Sequence, residues 1–189
     1  MIFEIIATLL PVICSISVAY LVKQEEQIAN LYGMLSVRRR GKMISEKLLF
    51  TWLMGSISLL IITFGIGVIS SLQRRMIYNL VGLYVGMVAF SLFFYIFHLF
   101  LNLRYGIGMS LFWGVFESMQ AVIYSNIKLS GFFKFIPFSW PMEWKQDLWE
   151  GILIENRTFW SICILIQIVC LVFFVRWFTF WEGRKNYGT

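Results

Sequence analysis

Charge is scarce in this sequence: 14% of its 189 residues are Asp, Glu, Lys or Arg, and histidine occurs once. A water-soluble domain covers its surface with roughly 25% charged residues, so this shortage argues against an ordinary soluble fold. The three cysteines, Cys14, Cys163 and Cys170, all lie in apolar runs and form no pair at metal-ligand spacing. They read as small apolar side chains. His98 has no carboxylate or cysteine at metal-ligand spacing, and it reads as a structural hydrogen-bonding group. No phosphate-cradling loop is present either. Gly106-x-Gly108 follows no strand and has no P-loop lysine after it.

What is abundant is apolar. The chain is 59% hydrophobic and 19% aromatic, with a mean hydropathy of +0.77. Lipid, not water, solvates the outside of such a chain. Crossing a bilayer takes a helix of ~20 largely apolar residues, because only closed backbone hydrogen bonding survives in hydrocarbon. Five stretches qualify: residues 2–22, 48–73, 76–103, 105–127 and 158–181. The expectation is an all-α polytopic membrane helix bundle, one domain over residues 1–189. It has about five transmembrane helices, a cytoplasmic coupling segment at 23–47 and an extracellular segment at 128–157.

The basic residues set the orientation. With residues 23–47 inside, Lys23, Arg38, Arg39, Arg40, Lys42, Lys47, Arg104, Arg176, Arg184 and Lys185 fall on the cytoplasmic side. Arg74, Arg75, Lys128, Lys134, Lys145 and Arg157 fall outside, the Arg74-Arg75 pair opposing the trend. The N-terminus is then outside and the C-terminus cytoplasmic, in a multi-pass protein of the cell membrane. The positive net charge follows from this topology, so nucleic acid is not an expected partner.

Within 23–47, Ile28, Leu31, Tyr32 and Leu35 follow helical spacing, which predicts a short amphipathic helix at the membrane surface. The cluster Arg38, Arg39, Arg40 and Lys42 sits where anionic headgroups attract it. Two readings stand: a positive-inside anchor, or a coupling element that docks into a soluble motor subunit. Residues 128–157 hold Phe132, Phe133, Phe135, Phe138, Trp140, Trp144 and Trp149, with Pro137 and Pro141 as punctuation. So aromatic a segment belongs in the outer interface, with a short helix over 144–154 presenting Trp144, Leu148 and Ile152. It is either a passive belt or a lip that receives an amphipathic peptide, Glu143, Asp147, Glu150 and Glu155 attracting its cationic groups.

Glu117 stands near the middle of a span, with Gln120 and Ser110 sharing its helical face. An ionised group there costs ~3 kcal/mol on insertion scales, so it faces protein or water. It is a functional or subunit-interface group, or a protonated structural carboxyl. Gly82 and Gly86 permit close helix contact, either at a dimer seam or within any helix bundle. Asn156-Arg157-Thr158 matches a glycosylation acceptor by pattern, and Trp177 and Trp181 beside Arg176 read as an interface anchor.

Several motifs together resemble a known family. Glu25-Glu26-Gln27, Asn30, Gly33-Met34-Leu35, a basic stretch and Ser45-Glu46-Lys47 are similar to the coupling segment of type-2 ABC exporter permeases. Arg104-Tyr105-Gly106-Ile107-Gly108, then Phe135-Ile136-Pro137-Phe138-Ser139-Trp140-Pro141, and the ending Trp181-Glu182-Gly183-Arg184-Lys185 resemble permease subunits of lantibiotic-immunity transporters. The resemblance runs from about Ile6 to the end, and against members that usually have six helices it implies a chain without the first one. It implies a bacterial permease paired with a second, identical or different permease subunit and with an ATP-binding cassette subunit, expelling lantibiotic or a similar peptide. Glu25, Glu26, Ile28, Leu31, Leu35, Arg38, Arg39 and Arg40 would couple to the ATPase. Glu117 and Gln120 would line the pathway or an interface, and Trp140, Trp144, Asp147 and Glu150 would receive peptide.

A membrane enzyme needs a paired nucleophile and base or a metal cluster. With one histidine and one acid deep in a span, no catalytic residue, metal ligand or cofactor is expected, and ATP hydrolysis is assigned to a separate subunit. The alternative to transport is a non-transporting accessory or immunity protein that binds peptide or a partner membrane protein.

Overall fold

The computed structural model describes residues 2–29, 31–69, 74–125 and 134–183. Among the expected features, Asn30, Lys128, Phe132, Phe133, Arg184, Lys185 and the side chains of Ile28, Tyr32, Arg74 and Arg75 lie outside the described residues. All regular elements described are helical: α1 (Ile2–Ala29), α2 (Tyr32–Leu35), α3 (Arg40–Ile69), α4 (Arg74–Tyr105), α5 (Ile107–Ser125), a 3-10 turn (Pro137–Ser139), α6 (Trp140–Glu150) and α7 (Arg157–Phe180).

Four of these carry a stretch long and apolar enough to cross a membrane: Glu4–Gln27, Arg40–Gly65, Leu80–Tyr105 and Arg157–Phe180. α5, at the place of the fourth expected span, is outside that set of described helices. Glu117, Gln120 and the serines at 110, 118 and 125 dilute its apolar run. Its 19 residues still reach ~28 Å at 1.5 Å per residue, close to the ~30 Å of a hydrocarbon core.

The helices also run further than hydropathy suggests. α1 continues past Val22 to Ala29, and α3 starts at Arg40 instead of Leu48. The polar residues from Lys23 to Gln27 and from Lys42 to Lys47 are good helix formers, so the spans extend beyond their apolar stretches. The residues between α1 and α3 are therefore few, and α2 is a single turn. Leu31 takes a left-handed backbone with φ 66°, which ends the helical run expected from Ile28 to Leu35 and costs about 1–2 kcal/mol for a residue bearing a Cβ.

α4 is the hub, packed against α1, α3, α5, α6 and α7. α1 buries Leu10, Cys14, Val18 and Val22, spaced at fours along one stripe. Leu83, Met87, Phe90 and Phe94 do the same on α4, and Phe174 and Phe178 on α7. The opposite faces of α3 and α7 are apolar as well: Leu49, Phe50, Leu53, Ile57, Ile61 and Phe64 are exposed, as are Leu165, Val169, Val172 and Phe173. A helix apolar all round suits lipid on one side and protein on the other. Alternation of the helices gathers the α1–α3 junction, the α4–α5 junction and the end of α7 at one Arg-rich end. The start of α1, α6 and the start of α7 form a Trp-rich end.

Candidate functional site

The middle of the bundle holds the least expected arrangement. His98 on α4 and Ser110 and Glu117 on α5 are all 0% exposed. His98 Nε2 lies 3.1 Å from Glu117 Oε2, and Ser110 Oγ lies 3.2 Å from His98 Nδ1. A hydroxyl, an imidazole and a carboxylate thus stand in line. Ser110 and Glu117 are seven residues apart, two helical turns, and so share the α5 face that meets α4. One turn past His98, Asn102 donates from Nδ2 to the His98 carbonyl at 3.1 Å.

Close approach of α1 seals this region. A Cβ on Gly114 would stand 2.4 Å from Ser15 Oγ, so only glycine allows α5 to lie so near α1. The Ser15 hydroxyl itself turns back to the Val12 carbonyl at 2.8 Å. Two polar atoms are left over: Glu117 Oε1 and Ser118 Oγ are buried without a hydrogen-bond partner. Buried polar groups are ordinarily paired, so both atoms set this region apart from the apolar core around it. The spacing of Glu117, Gln120 and Ser110 predicts one polar face, and Glu117 and Ser110 do converge. Gln120 is half-exposed and outside the three-residue line. His98 joins that line from another helix, a partnership that spacing within one helix could not reveal.

At the Arg-rich end, Glu25 and Lys47 form an ion pair between α1 and α3. Arg40 donates from Nη1 to the Trp181 carbonyl at 3.0 Å, tying α3 to the end of α7. Leu31 and Met34 are buried, and Leu35 is half-buried against Gly183. Their apolar faces close the chain's own bundle. What faces outward is Gly33, Ser36, Val37, Arg38 and Arg39, while Glu26 is half-buried.

At the Trp-rich end, α6 begins at Trp140, four residues before the expected start, with Pro141 in its first turn. Gly151, at φ 76°, ends it before Ile152. Trp140 is fully buried and Trp144 is half-buried, both edge-on to Phe90, with centroids 5.8 and 5.7 Å away. Asp147 Oδ2 accepts from Asn156 Nδ2 at 2.8 Å and from Trp160 Nε1 at 3.0 Å. Trp140, Trp144 and Asp147 thus hold α6 down. Glu150 and Trp149 are exposed. Lys145 donates to Glu4 at 2.5 Å, joining α6 to the start of α1. At the same end, Lys134, Phe135, Glu143, Asp147, Asn156 and Phe159 line a cavity of about 140 Å³. Glu143, 3.6 Å from Lys134, has its carboxyl pushed above the ordinary range, chiefly by burial.

Comparison with protein-family models, curated proteins and solved structures yields no match. The residues themselves therefore carry the functional argument. Among the described residues, no group of three or more His, Cys, Asp or Glu side chains is placed to hold a metal ion. The Ser110–His98–Glu117 order is the one by which an acid orients an imidazole toward a hydroxyl. With Ser110 wholly buried, what these three groups can do as they stand is hold and pass a proton.

Proposed function

We propose that this chain is a membrane-spanning subunit of an ABC-type exporter that clears lantibiotic or a similar antimicrobial peptide from the membrane, with ATP hydrolysed on a separate subunit. In this reading α5 is a fifth span, the Arg-rich end is cytoplasmic, and a second permease subunit completes the pathway. The sequence resemblance motivates it. The observation that carries it is the outward-facing Ser36–Arg39 stretch, held between two spans by the Glu25–Lys47 pair on one side and the Arg40–Trp181 tie on the other. A motor subunit pushing on that stretch acts directly on α1, α3 and α7.

The test is co-purification of the tagged chain, in mild detergent, with ATPase subunits from its own cell. Arg38→Glu and Arg39→Glu are expected to lose the ATPase while the bundle stays folded, since both side chains are exposed. Absence of any ATPase from folded, membrane-inserted protein would defeat the transport reading. A second reading, an accessory protein that binds peptide without transporting it, gains from the inward turn of Leu31 and Met34. Those side chains are spent inside the chain and offer a motor little apolar surface.

A further inference from the structure

The line of Ser110, His98 and Glu117 has a feature that a purely structural role does not need: an ionisable carboxyl whose second oxygen meets no donor. Glu117 Oε2 is engaged by His98, while Oε1 is buried and unpartnered, as is the hydroxyl of the next residue, Ser118. A glutamine could bond His98 at far lower cost to a membrane interior, where acidic groups are rare and generally functional. The line also has a direction. Ser110 lies three residues inside the start of α5, ~5 Å along the axis, and Glu117 lies ~10 Å deeper. The hydroxyl is therefore near the Arg-rich end of the bundle and the carboxyl near its centre.

We infer that Ser110, His98 and Glu117 form an intramembrane proton-binding site, loaded from the Arg-rich end through the Ser110 hydroxyl. Unloaded, Glu117 is a carboxylate that accepts from His98 Nε2–H, and Ser110 O–H donates to His98 Nδ1; the three groups carry one negative charge. One proton taken from water at the Arg-rich end resides on Nδ1, which then donates to Ser110 Oγ after the hydroxyl turns; it stays there with Nε2–H still donating to the carboxylate, or the Nε2 proton passes on to Glu117 Oε2. Either placement leaves the three groups neutral overall. No bond between heavy atoms forms or breaks, and no co-reactant is needed.

The neighbouring helices do not supply a competing charge. α1 presents Cys14, a free and buried thiol that carries no positive charge. Near α5, α6 engages its charged groups elsewhere: Lys145 with Glu4, Asp147 with Asn156 and Trp160, and Glu143 with Lys134. His98 is thus the only cation-forming group placed against Glu117 among the described residues. The inference does not depend on the exporter reading, because it concerns the chain alone.

Since His98 is the single histidine, ring-15N labelling of histidine reports this site without assignment. The experiment is 15N NMR of the wild-type chain in lipid nanodiscs from about pH 5 to about pH 8, together with infrared difference spectra of the carboxyl band over the same range. The expected result is a reversible, pH-dependent change at the imidazole or at the Glu117 carboxyl, with the carboxyl band absent in Glu117→Gln. An imidazole and a carboxyl that both stay in one protonation state throughout, in folded wild-type protein, would overturn the inference. The wild-type measurement decides even if the variant does not fold.

Discussion

The indole N–H of Trp144 donates to the backbone carbonyl of Gly82 at 2.9 Å, 62 residues away in sequence. The Gly82-xxx-Gly86 notch, which in sequence suits a dimer seam or a contact within the bundle, is filled from within the chain. A Cβ on Gly86 would stand 2.1 Å from Trp144 Nε1, and one on Gly82 would stand 2.9 Å from Leu148 Cδ1. The two glycines are needed where they are because α6 lies across α4.

Gly86→Ala should therefore destabilise the protein by about 1–3 kcal/mol, the usual cost of forcing extra volume into a packed contact. Gly65→Ala is the control, since a Cβ there meets nothing within 4 Å and alanine favours the helix. Thermal unfolding in detergent, followed by circular dichroism and tryptophan emission, separates the two. Equal melting of both variants would show that the α6 contact is not formed.

Asp147 makes a second prediction about the same helix. Its Oδ2 accepts from both Asn156 and Trp160, and Asp147→Ala strands the Trp160 N–H inside the protein. A buried donor left unpaired costs about 1–3 kcal/mol, and the loss should surface as faster proteolysis between α6 and α7. If Asp147→Ala weakens peptide binding but leaves proteolysis unchanged, Asp147 contacts peptide directly and the structural assignment is wrong.

The spans were legible in sequence because lipid imposes a crude requirement, a long apolar run, and α1, α3, α4 and α7 meet it. Their ends were less so. Hydropathy stops at the first charged residues, whereas helix propensity carries α1 on to Ala29 and α3 back to Arg40. Glu117 was visible as a lone acid in an apolar run. Its partner was not, because His98 sits 19 residues away on another helix and only the packing of α4 on α5 brings them together. The aromatic residues of the 128–157 segment were visible too, yet composition alone could not separate Trp140, wholly buried against Phe90, from Trp149, which is exposed.

At the Arg-rich end, Glu25 and Lys47 can be tested by exchange. The pair is partly buried, with side-chain exposures of 24% and 28%, and it links α1 to α3 on either side of α2. Glu25→Lys alone places two like charges together and should lower both stability and recovery of folded protein. Glu25→Lys with Lys47→Glu restores the attraction, and a double-mutant cycle should return a coupling of about 1 kcal/mol. Additive effects of the two single changes would mean that the pair contributes no coupling.

Glu143 supplies a pH dependence. Burial disfavours its charged form, Asp147 and Glu150 push in the same direction, and Lys134 pulls the other way. The net result is a folded-state carboxyl above its ordinary value of 4.5. The folded protein then binds this proton more tightly than the unfolded chain does. The corresponding stability is fully present below about 4.5 and is lost as the pH rises through the raised folded value. The segment around α6 should accordingly hold more firmly in mild acid than at neutrality. Glu143→Gln, which cannot ionise, should flatten that slope, while Lys134→Met removes the attracting charge and should extend the slope to higher pH. Melting temperatures collected across the acid range for the three proteins make the comparison. A slope unchanged in Glu143→Gln would assign the pH response to another group.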